Sequence, residues 1–135
     1  MRLKTYSLFG SCLFLGMCLS SIAFAKTQKE YQEIYDQCVD QAGTINNGVV
    51  EACTSQTSDR VKKDINRLYG IFYKRLQSEH PYDVSAFEAS QKAWLDYRNQ
   101  HCLLMGSYVG SPMHGYCPMT LNITRALELQ ELVGN

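Results

Sequence analysis

A chain of 135 residues with 13 Lys and Arg against 13 Asp and Glu carries no formal net charge at neutral pH. That balance lacks the basic excess with which nucleic-acid binding proteins neutralise phosphates, so no nucleic acid is expected among its partners. The length fits one domain with its own core and is short for two.

The first element in chain order is a targeting segment. Arg2 and Lys4 precede an apolar stretch from about Leu8 to Ile22, and Ala23-Phe24-Ala25 is followed by polar Lys26. A basic start, an apolar run and an A-x-A site make a secretory signal, which assigns residues 1–25 to the signal and residues 26–135 to the working domain. A membrane anchor competes, but the run is short for a span and is broken by Gly10, Ser11, Gly16, Ser20 and Ser21. No stable membrane span is therefore expected after cleavage, and the expected location is periplasmic or secreted. A lipid anchor on Cys18 is a weaker alternative, because Met17 stands where such a motif wants a small residue.

Beyond Lys26 the apolar residues recur with a period near 3.6, the mark of helices. Over Gln28 to Ala42, Tyr31, Tyr35, Cys38 and Ala42 share one face, with Glu30, Glu33, Asp36 and Asp40 opposite. Gly43 and Asn46-Asn47-Gly48 end that segment. A second and longest helix is predicted from about Val50 to Gln77, burying Val61, Ile65, Leu68, Phe72 and Leu76 and turning Arg60, Lys63, Arg67 and Lys74 outward. After His80-Pro81, Asp83 or Ser85 can cap a third helix to about Leu104 that buries Phe87, Trp94, Tyr97 and Cys102. Gly106, Gly110, Pro112 and Gly115 predict a Gly-rich loop up to Pro118, which suits the first turn of a last helix to about Leu132. The expected fold is all-α, a small bundle of about four helices with that loop between the last two.

Four cysteines follow the signal, with Cys38 and Cys53 fifteen positions apart and Cys102 and Cys117 likewise. Four cysteines allow three pairings. The Asn46-Asn47-Gly48 turn lies midway between the first two, and Cys102 closes one helix where Cys117 opens the next, which favours Cys38–Cys53 and Cys102–Cys117. Metal binding competes through His101, Cys102, His114 and Cys117, but the tight cysteine pairs of zinc sites are absent and an oxidising compartment favours disulfides. Neither a metal nor another cofactor is expected. A catalytic Cys/His pair needs a free thiol, and no Ser/His/Asp order or phosphate loop offers other chemistry, so the chain is not read as an enzyme.

Trp94-Leu-Asp-Tyr97-Arg98-Asn-Gln-His-Cys102 fits the pattern W-x-x-[FY]-R-[DN]-x-x-C. With Ile65-Asn66-Arg67-Leu68-Tyr69, Gly106-Ser107, Cys117 and Arg125, it resembles the LprI-type domain of small exported bacterial proteins, named after a lysozyme inhibitor. The resemblance spans essentially the whole chain after the signal. It departs from the family in having Lys62 or Lys63 where an acidic residue is common and Asn122 where threonine is common. Trp94 and Arg98 stand one helical turn apart, so the guanidinium can lie near the indole while its fork reaches a loop carbonyl or carboxylate. Trp94, Tyr97, Arg98 and Arg125 are thus read first as a structural signature.

For function, the resemblance implies a proteinaceous inhibitor or binder of lysozyme-type hydrolases. The Gly-rich stretch Met105–Tyr116 is the candidate contact, with Ser107, Tyr108, Ser111 and His114 as hydrogen-bonding tips. A protruding loop of this kind could enter a lysozyme cleft and satisfy its two carboxyl groups. The alternative is a structural or protein-interaction module of the bacterial envelope with another protein partner. A solvent-facing connection pinned by its disulfide is the plainer reading of the loop, as a solvated face is of the acidic stripe.

Overall fold

The computed structural model describes residues 25–134; the predicted signal and its cleavage site lie outside the described residues apart from Ala25. Four α-helices make up the domain: α1 (Gln28–Ala42), α2 (Asn47–Glu79), α3 (Val84–Tyr108) and α4 (Met113–Val133), with a short 3₁₀ turn at Pro81–Asp83. Among the described residues there is no strand.

Local sequence sets the helix ends. Thr27 accepts from the Glu30 amide while the Glu30 carboxylate accepts from the Thr27 amide, a reciprocal cap, and Gly43 closes α1 in the left-handed region at φ 66°. Asn46 caps α2 by accepting from Val49. Neither Asp83 nor Ser85 caps α3, contrary to expectation: the 3₁₀ turn runs straight into the helix, so the Asp83 backbone is already helical and its side chain makes no capping bond.

The 33-residue α2 is the spine. Thr54 meets Gly115 near the start of α4, and Arg75 donates to the carbonyl oxygen of Val133 at its end, so α2 and α4 run parallel along one another. Their shared core holds Val61, Ile65, Leu68, Met119, Ile123, Ala126 and Leu129. Tyr31 and Tyr35 attach α1 to it, and Phe87 attaches α3, stacked on Tyr69 with ring centroids 4.7 Å apart. At the chain entry, Asp64 accepts from the Tyr31 hydroxyl at 3.0 Å and the Lys26 ammonium at 2.9 Å. Burial alone would raise the Asp64 pKa, but hydrogen bonds from Lys26 and Tyr31 outweigh it and leave the carboxyl below its ordinary value. Burial and the neighbouring Asp64 charge raise the Tyr31 pKa in turn.

Both predicted disulfides are present, with Cα atoms 5.5 Å apart in Cys38–Cys53 and 5.4 Å in Cys102–Cys117. Each closes a separation of 15 residues, worth about 3 kcal/mol if it acts through chain entropy. The α1–α2 and α3–α4 turns lie at the same end of the bundle, joined by the Asn47 amide donating to Ser111 Oγ at 3.0 Å.

The Gly-rich loop is much shorter than the glycines predict. Helix α3 continues through Gly106 to Tyr108 and α4 begins at Met113, leaving only Val109-Gly110-Ser111-Pro112 as a turn. Gly106 and Gly115 serve close helix packing: a Cβ on Gly106 would collide with the His114 imidazole, and one on Gly115 with the Thr54 hydroxyl. Gly110 alone, at φ 151°, uses glycine's conformational freedom to turn the chain. Pro118 lies inside α4 rather than opening it; in the second turn it removes one amide donor, toward the His114 carbonyl.

Candidate functional site: the α3–α4 tip and the adjoining cleft

Helix α3 presents two faces to different surroundings. Phe87, Trp94, Arg98 and Cys102 point toward α2 and α4, whereas Tyr97 is 54% exposed and stacks on the His101 ring at 5.3 Å. The expectation of a buried Tyr97 fails because at about 100° per residue it lies roughly a quarter turn from the centre of that inner face. Seven and eleven residues on, Leu104 and Tyr108 fall close to the same direction, with Leu104 55% and Tyr108 85% exposed. An apolar stripe therefore runs along the outer face of α3 to the tip, where Val109 is also exposed.

The inner face carries Trp94 and Arg98 of the signature, and α4 brings Arg125 beside them. The guanidinium of Arg98 lies 5.0 Å from the Trp94 ring centroid, and that of Arg125 lies 5.7 Å from it. Arg98 Nη1 donates to Asn122 Oδ1 at 2.8 Å, while its Nε and Nη2 both donate to Asn99 Oδ1. The fork thus finds side-chain amides rather than the loop carbonyl or carboxylate expected. Arg125 donates through Nε to Gln91 at 2.9 Å and through Nη1 to Glu128 at 2.9 Å, tying α4 to α3 and to its own next turn. Partial burial lowers the Arg98 pKa; an arginine remains a cation at physiological pH nonetheless.

Helices α2 and α3 both pack on α4 and touch each other sparingly. The space between them is a cleft of about 590 Å³. From α4, His114, Pro118 and Asn122 line it at successive intervals of four; α2 contributes the polar run that includes Glu51, Ser55, Ser58 and Lys62; α3 contributes Arg98 and Asn99. Asn122 is 0% exposed, and its Nδ2 has no hydrogen-bond partner.

The four residues singled out for partner contact thus separate. Ser107 and Tyr108 occupy the exposed last turn of α3, outside the cleft, while Ser111 in the turn and His114 in the first turn of α4 line it. Two parts of the cleft were not foreseen from sequence: Asn122 drew notice only as a departure from the family threonine, and Thr54, Ser55 and Ser58 were passed over within a helix. The available signal was the spacing of Glu51, Ser55, Ser58 and Lys62 at i, i+4, i+7 and i+11, which sets a polar stripe along one face of the longest helix.

Cys102 and Cys117 are bonded to each other, so neither offers a thiolate to a metal. Among the described residues no group of three or more His, Cys, Asp or Glu side chains could hold a metal ion, and no helix is long and apolar enough to cross a membrane.

These features define a small helical domain stapled at one end by two disulfides. A family model described as lysozyme inhibitor LprI matches residues 38–129, and the chain belongs to that family. Neither a curated protein nor a solved structure matches it.

Proposed function

We propose that the protein is exported and binds and inhibits a lysozyme-type peptidoglycan hydrolase through the α3–α4 tip, without chemistry of its own. Membership of a family described as a lysozyme inhibitor supports this partner class. The observation that carries the location is Tyr108, 85% exposed at the end of a helix whose outer face also exposes Tyr97 and Leu104. Large aromatic side chains with few rotamers are favoured anchors in protein interfaces. The Cys102–Cys117 bond joins the two helices just behind the tip, which reduces the ordering cost of binding.

The tip is a blunt helical hairpin, so contact takes the form of a rigid knob, with Ser107, Tyr108, Ser111 and His114 as its polar contacts in place of a long inserted loop. A lysozyme cleft carries two carboxyl groups flanking the sugar bond, and hydroxyl or imidazole donors brought against them would block substrate. Two disulfides fit the oxidising compartment to which a signal peptide would deliver the chain. The exposed acidic face of Glu30, Glu33, Asp36 and Asp40 would speed encounter with a basic lysozyme. Neutralising those four carboxylates should then slow association and flatten its salt dependence; an unchanged rate removes steering from the proposal.

The test is a lysis assay in which oxidised protein is titrated against chicken-type, goose-type and invertebrate-type lysozymes. Saturable inhibition of at least one class is expected. Inhibition of none would turn the reading toward an envelope interaction module, for which the same exposed α3 stripe would serve another protein.

A further inference from the structure

The cleft between α2 and α3 has a chemistry distinct from the apolar stripe on the outside of α3. Its size, about 590 Å³, is that of a small-molecule site. Its two formal cations, Arg98 and Lys62, exceed its single carboxylate, Glu51. Lys62 reaches only the exposed Asp59, at 3.2 Å and 65% exposure for that partner, a pairing that water weakens.

Arg98 is held in place before any ligand arrives. The Trp94 ring lies on one side, and Asn122 and Asn99 accept three of its N–H bonds. A guanidinium has five such donors, so two are left over. The Asn122 amide that accepts from Arg98 also carries the unpartnered Nδ2. Side-chain nitrogen donors without acceptors therefore gather at one point, and a carboxylate is the group whose two oxygens match such a set. Around them stand Ser55, Ser58 and Ser111, whose hydroxyls both donate and accept and suit the hydroxyl and amide groups of a sugar.

We propose that this cleft binds a small carboxylate-bearing ligand of the acidic-sugar class, its carboxylate held by Arg98 and Asn122 and approached by Lys62. The site is larger than one aspartate or glutamate side chain needs, and its hydroxyl lining comes from α2 and the α3–α4 turn rather than from the arginine's own helix. These features favour a free polar ligand over a carboxylate from a protein partner.

The probes are N-acetylmuramic acid and N-acetylglucosamine, related sugars of which only the first carries a carboxylate. They are titrated into isotopically labelled, oxidised protein while the side-chain amide of Asn122 and the Nε–H of Arg98 are followed by NMR. The acid should shift both signals saturably and bind at least about tenfold more tightly than the neutral sugar. Arg98→Lys, which keeps the charge and loses the fork, should weaken the acid about tenfold, and Lys62→Gln about threefold, with the spectra of both variants remaining folded. Absence of shifts with either sugar, equal affinity for the two, or an affinity indifferent to both substitutions would overturn the proposal. Shifts of these signals on adding lysozyme, without any on adding the acid, would also overturn it and give the site to a partner's carboxylate. The sugar titrations contain no lysozyme, so they can fail or succeed independently of the inhibitor reading.

Discussion

The His114 imidazole rests against the bare backbone of Gly106, one turn from the disulfide that joins the same two helices. Gly106→Ala should therefore destabilise the fold by about 1–3 kcal/mol, since the new methyl forces the ring or α4 outward. His114→Ala placed in the same chain should restore much of the loss. Denaturant unfolding of the two single variants and the double variant measures the coupling, and strict additivity would show that the two do not conflict.

Arg98 and Asn122 make a second junction between α3 and α4, 24 positions apart in sequence and 2.8 Å apart in space. Arg98→Ala should cost about 2 kcal/mol, because it removes a charged hydrogen bond and leaves the buried Asn122 Oδ1 without a donor. Arg98→Lys should cost less, by retaining the aliphatic stem over Trp94. Thermal unfolding of both variants under oxidising conditions checks the order.

The Asp64 cluster predicts losses of stability on both sides of neutrality. The folded Asp64 pKa lies below the ordinary value of 3.8, so its contribution is present above about pH 4 and is lost as pH falls through the folded value. Tyr31 has a folded pKa raised above the ordinary value of 10.0, so its contribution is present below about pH 10 and declines as the pH rises further. Tyr31→Phe should flatten the alkaline limb and Asp64→Asn the acid one, read as melting temperature against pH.

Replacing Cys102 and Cys117 together by serine should lower stability by about 3 kcal/mol in the chain-entropy model. If the tip makes the contact, the same change should weaken lysozyme inhibition under conditions where the variant is still folded. Replacing Cys38 and Cys53, which staple α1 to α2, should lower stability comparably while affecting inhibition less.

Periodicity and cysteine spacing made most of the fold legible. The bounds of α1, the core of α2 and both disulfides follow from residues whose roles are local: Gly43 ends a helix, and Cys38 and Cys53 flank the turn between α1 and α2. The α3–α4 connection was not legible, because Gly106 and Gly115 carry the composition of a loop while meeting a demand made by distant residues, His114 and Thr54. Tyr97 misled for a related reason: aromatic character predicts burial, but its angular position places it outside. The four candidate tip residues, Ser107, Tyr108, Ser111 and His114, are all exposed, whereas the cleft depends on Lys62, Arg98 and Asn122 from three helices converging, a relationship no single segment contains.

The most direct measurement compares the protein with its Tyr108→Ala variant as inhibitors of the same lysozyme, with melting temperature recorded for both. A buried interface anchor predicts at least about thirtyfold weaker inhibition at an unchanged melting temperature, the scale of a 2 kcal/mol hot spot. Equal inhibition by the two proteins would contradict the assignment of the α3–α4 tip as the lysozyme-binding surface.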